Sequence, residues 1–385
     1  MSGWFDRKIK KTHPKFEFLL EPCYMAEKAL LEEWIGNFKV KDGIDKTIKQ
    51  FQETFHSTFW EVYLNKVFSE SGCLILDDIT SPDFGLIKGN EKIFVEAVVS
   101  NIALIEPAEI ERTLDDIHGE NDHYKILDES IIRLYSSMCN KLERYNNHYS
   151  TRSDIQGAKF VLAMGDYAQI NYGQSFYYPL LALLYGAYYD PDDRKDNLKI
   201  LCEDSFSNEY KFIETHKKKN GAELKLGLFN SKEYEHVSAI IYSCTTTLGK
   251  LSSLVENHIP IEKCIVIDRE TPYAEHQILR YSNQQSDETL YDGLFVYHNP
   301  NATNKLQDDF LDEIGVTHIR YDEENDPAIS IHYKNRSGIL KRRQVCMKGT
   351  ERELLENYDN FSFIPVARTC HIQSVSAPQA FLKTS

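Results

Sequence analysis

Apolar side chains recur every three or four positions between residues 44 and 62. Ile44, Ile48, Phe51, Phe55, Phe59 and Val62 make one stripe, which predicts an amphipathic helix over 45–70. Asp45 can cap its start, and Gly72 lies just past its end. The period then shortens. Apolar runs at 73–76, 84–87 and 93–99, the last rich in β-branched and aromatic residues, predict a three-stranded meander, with turn chemistry at Lys88, Gly89 and Asn90. A short helix is expected over 107–116. The helical period returns over 128–148 through Ile131, Ile132, Leu134, Tyr135, Met138 and Leu142, and 159–164 reads as a buried strand. The order is helix, three strands, helix, strand.

Further along, 176–188 reads as a buried helix, and 189–222 as a polar insertion or connection. Strands are expected at 236–242, 264–268, 294–298 and 316–321, and helices at 247–256 and 305–313. This alternation predicts an α/β protein with a mixed central sheet flanked by helices. Its organisation reads as an N-terminal segment (1–44), a core (45–170), an α/β extension packed on or continuing the core sheet (171–335), and a C-terminal tail or arm (336–385).

The 385 residues can bury a large core, and no apolar run approaches the roughly 20 residues a bilayer span needs. The first fifteen residues are polar and basic, unlike a secretory signal. Eight cysteines include no C-x-x-C, which suits reduced thiols and a cytoplasmic location. The net charge of -15 argues against a generic nucleic-acid coat. It leaves room for a nuclease, because a metal site concentrates carboxylates. Basic runs at Arg7–Lys11, 217–219 and 341–343 could track a phosphate backbone or be solvated surface.

One set of acids carries chemistry. Asp83 follows Pro82 at the entry of the second strand, and Glu96 lies thirteen residues later in the third. Adjacent antiparallel strands can bring such carboxylates to within about 5 Å. Two acids that close repel unless a cation lies between them, and Mg²⁺ accepts one or two protein carboxylates plus waters and phosphate oxygens. At about 100° per residue, Glu61 falls on the flank of the helical stripe, with Asn65 one turn on. Each acid also has a plain structural role open to it: Glu61 paired with Lys66, Asp83 starting a turn, Glu96 paired within an apolar strand.

Phe59-Trp60-Glu61, Pro82-Asp83-Phe84 and Phe94-Val95-Glu96-Ala97, set in this order of elements, resemble the PD-(D/E)xK nuclease superfamily over about 45–165. The resemblance implies a restriction-endonuclease-like α-β-β-β-α-β core with a large C-terminal extension. It implies that Asp83, Glu96 and Glu61 are catalytic and hold Mg²⁺ or Mn²⁺. The family expects lysine two residues after the strand acid, where this chain has Val98; Lys92 and Lys66 are candidate replacements. A competing match begins at Pro191-Asp192 and continues to Glu209-Tyr210-Lys211 or Glu223-Leu224-Lys225, but lacks the preceding acidic helix. His298-Asn299-Pro300 follows an apolar strand; these residues could bind phosphate or hydrogen-bond their loop. Thr247-Leu248-Gly249-Lys250 lacks the first glycine of a phosphate-cradling loop.

The expected activity is metal-dependent phosphodiester hydrolysis of DNA, in bacterial genome defence by analogy. Expected partners are nucleic acid, further copies of the chain or a partner protein of a defence system, with no membrane. The alternatives are a non-catalytic nucleic-acid- or protein-binding scaffold on the same fold, and an enzyme acting on small phosphorylated substrates.

Overall fold

The stretch 44–70 forms two helices rather than one. A computed structural model describes residues 3–41, 43–102, 123–169, 176–189, 210–217, 221–255, 263–271, 274–282, 286–307, 309–311, 314–322, 328–333, 339–346 and 372–374. After α1 (Pro14–Phe18) and α2 (Met25–Gly36), α3 (Ile44–Thr54) ends at Phe55, and α4 (His56–Glu70) begins directly after it. Phe55 has φ 53°, an uncommon conformation for a residue with a Cβ. Its N–H still closes α3 on Phe51 O, and its carbonyl accepts the first bond of α4 from Phe59 N. Its ring is fully buried, 5.2 Å from that of Phe59 and 5.3 Å from that of Phe51. This burial offsets the backbone strain.

β1 (Leu74–Ile75), β2 (Phe84–Lys88) and β3 (Glu91–Asn101) form the expected meander. The long helix follows as α5 (His123–Arg144), ending in a wide turn at Tyr145–Tyr149, and then β4 (Lys159–Tyr167). Next come α6 (Tyr178–Tyr185), β5 (Ala187–Tyr189), β6 (Tyr210–Phe212), β7 (Thr215–Lys217) and β8 (Glu223–Lys225). β9 (Ala239–Ser243), α7 (Leu248–Leu254), β10 (Lys263–Thr271), β11 (Ala274–Ser282), β12 (Phe295–His298), β13 (Thr317–Asp322), β14 (Ala328–Tyr333), β15 (Ile339–Cys346) and β16 (Ile372–Ser374) complete the order.

Eight strands make one mixed sheet, ordered β1-β2-β3-β4-β9-β12-β13-β14. β3, β4 and β9 run parallel, and the flanking pairs β2–β3 and β9–β12 are antiparallel. Side chains alternate between faces along each strand. In β4, Phe160, Leu162 and Met164 face a layer built on α5 and α6, while Val161 and Ala163 face the layer of α2, α3 and α4. Covering both faces explains why these strands read as unbroken apolar runs. Each large side chain so buried contributes about 1.5–3 kcal/mol. A separate four-stranded sheet has the order β15-β10-β11-β16.

The structure departs from the sequence reading in places. Residues 305–307 and 309–311 are not helical; tight turns such as Phe310 N to Gln307 O occur there, and Leu311 has φ 64°. The tail read as an arm supplies β15 and β16. The helix expected over 107–116 lies outside the described residues. Among the described residues no helix is long and apolar enough to cross a membrane.

Candidate active site

A cavity of about 230 Å³ opens between α4, the segment leading from α2 to α3, and the start of β2. Glu61 and Asn65, one turn apart on α4, both line it, as the flank position of Glu61 requires. Asp83 and Phe84 line it from β2, and Lys39, Val40 and Lys41 from the segment after α2. That segment is tied down at several points. Asn65 Nδ2 donates to Asn37 O at 3.1 Å, and Lys39 Nζ lies 3.3 Å from Asp77 Oδ2.

Asp83 stands where the β2–β3 ladder ends. The register pairs Phe84 with Val95, so one further step would set Asp83 opposite Glu96. Here a side chain continues the pairing: the N–H of Ala97 donates to Asp83 Oδ2 at 2.7 Å. Burial pushes the Asp83 carboxyl from 3.8 up to about 6, and the charge of Glu96 adds to the rise. Lys141, the Ala97 N–H and Arg144 oppose it. Lys41 Nζ donates to the Asp83 carbonyl oxygen at 2.5 Å. Burial lowers the pKa of Lys41, against the attraction of Asp83, Glu61 and Asp77.

Glu96 is fully buried on the α5 face of the sheet. Its Oε1 accepts from Lys141 Nζ at 2.7 Å and Arg144 Nη1 at 3.1 Å, and its Oε2 from the Tyr149 hydroxyl at 3.0 Å. Burial raises the Tyr149 pKa and the Glu96 charge raises it further, so the hydroxyl stays protonated and donates. These donors provide the compensation a carboxylate needs inside an apolar strand.

No family model, curated protein or solved structure matches this chain. The site is therefore read from its own geometry. Glu61 and Asp83 share a cavity, Asp83 and Glu96 are coupled electrostatically, and Glu96 is held by three donors on α5 and the turn after it. Among the described residues, no three His, Cys, Asp or Glu side chains are grouped so as to hold a metal ion. Glu61, Asp77 and Asp83 all line the one cavity, and an ion such as Mg²⁺ or Mn²⁺ needs only one or two protein carboxylates because it retains several waters. Glu96 does not line this cavity; it is fully buried on the α5 face of the sheet, paired with Lys141 and Arg144, so the structure does not bring the three predicted acids into one pocket.

The lysine candidates fall elsewhere. Lys66 is paired with Glu33 and Glu70, and Lys92 lies 4.9 Å from the Phe94 ring. Val98 packs against the α5 side of the core. Cations that do act on these acids include Lys41, Lys141 and Arg144. Sequence reasoning missed all three, and Tyr149 with them. Lys141 and Arg144 carried a weak signal, being three apart on one helix face; Lys41, in irregular chain, carried none.

The remaining motif residues make hydrogen bonds within the fold. Lys250 is fully buried, donating to Glu288 Oε1 at 2.6 Å and to the carbonyls of Thr289 and Asp292. Asn299 Nδ2 donates to the carbonyls of Tyr234 and Val237, and His298 Nε2 lies 2.8 Å from His318 Nδ1. In the competing match, Glu223 and Lys225 belong to β8, which among the described residues pairs with β7 in a two-stranded ribbon. Residues 190–209 lie outside the described residues.

Proposed function

We propose that the protein is a divalent-metal-dependent phosphodiesterase, a nuclease acting on DNA, with Glu61 and Asp83 as the residues that hold Mg²⁺ or Mn²⁺. The observation that supports this most is that these two acids, one from a helix and one from a strand end, line a single cavity. When bound, the ion would neutralise charge on a phosphate oxygen and acidify a water. Glu61 and Asp83 would hold the ion, and the Ala97 N–H fixes one Asp83 oxygen. Glu96, which does not line the cavity, acts on the site through its charge, which raises the Asp83 pKa. A role in bacterial genome defence, with a partner protein or further copies of the chain, is proposed by fold-level analogy. The test is cleavage of plasmid and linear DNA with Mg²⁺, Mn²⁺ or EDTA. Wild-type cleavage should require the metal, and Asp83→Ala and Glu61→Ala should abolish it. Metal-dependent cleavage that persists in both variants rejects the site.

A second reading is a non-catalytic scaffold that binds nucleic acid or protein. It is favoured by Val98 at the expected lysine position and by the ion pairs that already compensate Glu96. It predicts no heat of Mn²⁺ binding in calorimetry and no cleavage.

A further inference from the structure

Lys39 and Lys41 line the cavity, and they differ from each other, and Lys41 from the more distant Lys66 and Lys141, in how their charge is used. Lys39 is paired with Asp77, Lys66 with Glu33 and Glu70, and Lys141 with Glu96. Lys41 makes no such direct ion pair among the described residues. It gives one hydrogen bond to the Asp83 carbonyl and lies 5.9 Å from the centroid of the Phe84 ring. An ammonium has three hydrogens to donate, so most of this donor capacity is not used among the described residues. Its position is nonetheless fixed, because the segment carrying it is anchored through Asn37 and Lys39. Lys41 therefore presents a half-buried cation at the wall of a cavity lined by three acids, Glu61, Asp83 and the Asp77 that Lys39 already pairs.

An anion entering that cavity meets Glu61 and Asp83 and is repelled unless positive charge receives it. We propose that Lys41 is the phosphate-binding residue of the site, donating to a non-bridging oxygen of a nucleic-acid phosphate bound beside Glu61 and Asp83. This rests on the reading of those two acids as the metal-holding pair. Lys41 would then reach the phosphate from a different wall than the acids: Glu61 comes from α4, Asp83 from the entry to β2, and the lysine from the segment between α2 and α3. The substrate class is a phosphodiester or a phosphorylated strand end.

The experiment separates the two ideas by measuring two affinities. The first is binding of a short 5′-phosphorylated, fluorescein-labelled single strand, followed by anisotropy in Ca²⁺. The second is Mn²⁺ binding without DNA, followed by calorimetry. Lys41→Met should weaken oligonucleotide binding about ten- to a hundredfold, as expected for loss of a charged hydrogen bond. It should leave Mn²⁺ binding unchanged or tighter, since a neighbouring cation is gone. Lys41→Arg should recover most of the oligonucleotide affinity, and Lys66→Met, a charge control away from the cavity, should retain it. An unchanged urea midpoint checks that Lys41→Met folds; if it does not fold, the anisotropy comparison is made with Lys41→Gln. The proposal is overturned if wild type does not bind the oligonucleotide, if Lys41→Met binds it normally, or if Lys141→Met alone loses it. If wild type binds Mn²⁺ no better than Asp83→Asn does, the metal reading itself fails, whatever the oligonucleotide does.

Discussion

Asp83→Asn should stabilise the metal-free protein, and by an amount set by pH. The folded carboxyl has its pKa pushed from 3.8 to about 6, so the folded state holds a proton that the unfolded chain has already released between those values. Stability therefore falls as pH rises through that window, and the whole cost is present above it. Below 3.8 both states are protonated and the cost vanishes. A rise from 3.8 to about 6 corresponds to about 3 kcal/mol. Asparagine keeps an oxygen for the Ala97 N–H and carries no charge to desolvate. In urea unfolding with EDTA, the variant should lead wild type by about 3 kcal/mol near pH 8, with the lead shrinking to nothing near pH 4. A lead that does not vary with pH, or a variant less stable than wild type near pH 8, would refute the reasoning.

Added Mg²⁺ should reverse part of that lead. A ligand at about a hundred times its Kd stabilises wild type by about 2.7 kcal/mol, and the Asn variant should gain little; equal gains would show that the ion binds elsewhere. Lys141→Met should cost about 1–3 kcal/mol, because Glu96 stays fully buried with one cation fewer. In a Glu96→Gln background the same change should cost almost nothing, and additive costs in a double-mutant cycle would exclude the pairing. Lys250→Met should cost about 3–5 kcal/mol, since it strips the cation from buried Glu288; a loss under about 1 kcal/mol in urea unfolding would contradict that.

What the sequence disclosed follows from periodicity. Strands covered on both faces, such as β4 and β9, show as apolar runs, and α5 shows as a 3.6-residue stripe. The position of Glu61 beside Asn65 on one flank follows from helix geometry alone. The break at Phe55 gave no sign, because a phenylalanine with positive φ is held there by the rings around it. β11 went unread because Glu275, His276, Gln277 and Arg280 dilute its apolar residues. The partners of Glu96 were hidden for another reason: Lys141 and Arg144 lie far along the chain, and no local pattern reports a contact that only folding creates.

The pairing of β4 with β9 also bears on any search for a smaller working fragment. β4 sits in mid-sheet, with Val161, Leu162 and Ala163 fully enclosed. A truncation just after it would strip away its neighbour and leave an unsatisfied backbone margin inviting intermolecular stacking. The acids on α4 and at β2 and β3 thus depend on residues beyond 235 to cover the sheet that carries them, and deletion mapping should report insolubility before it reports anything about catalysis.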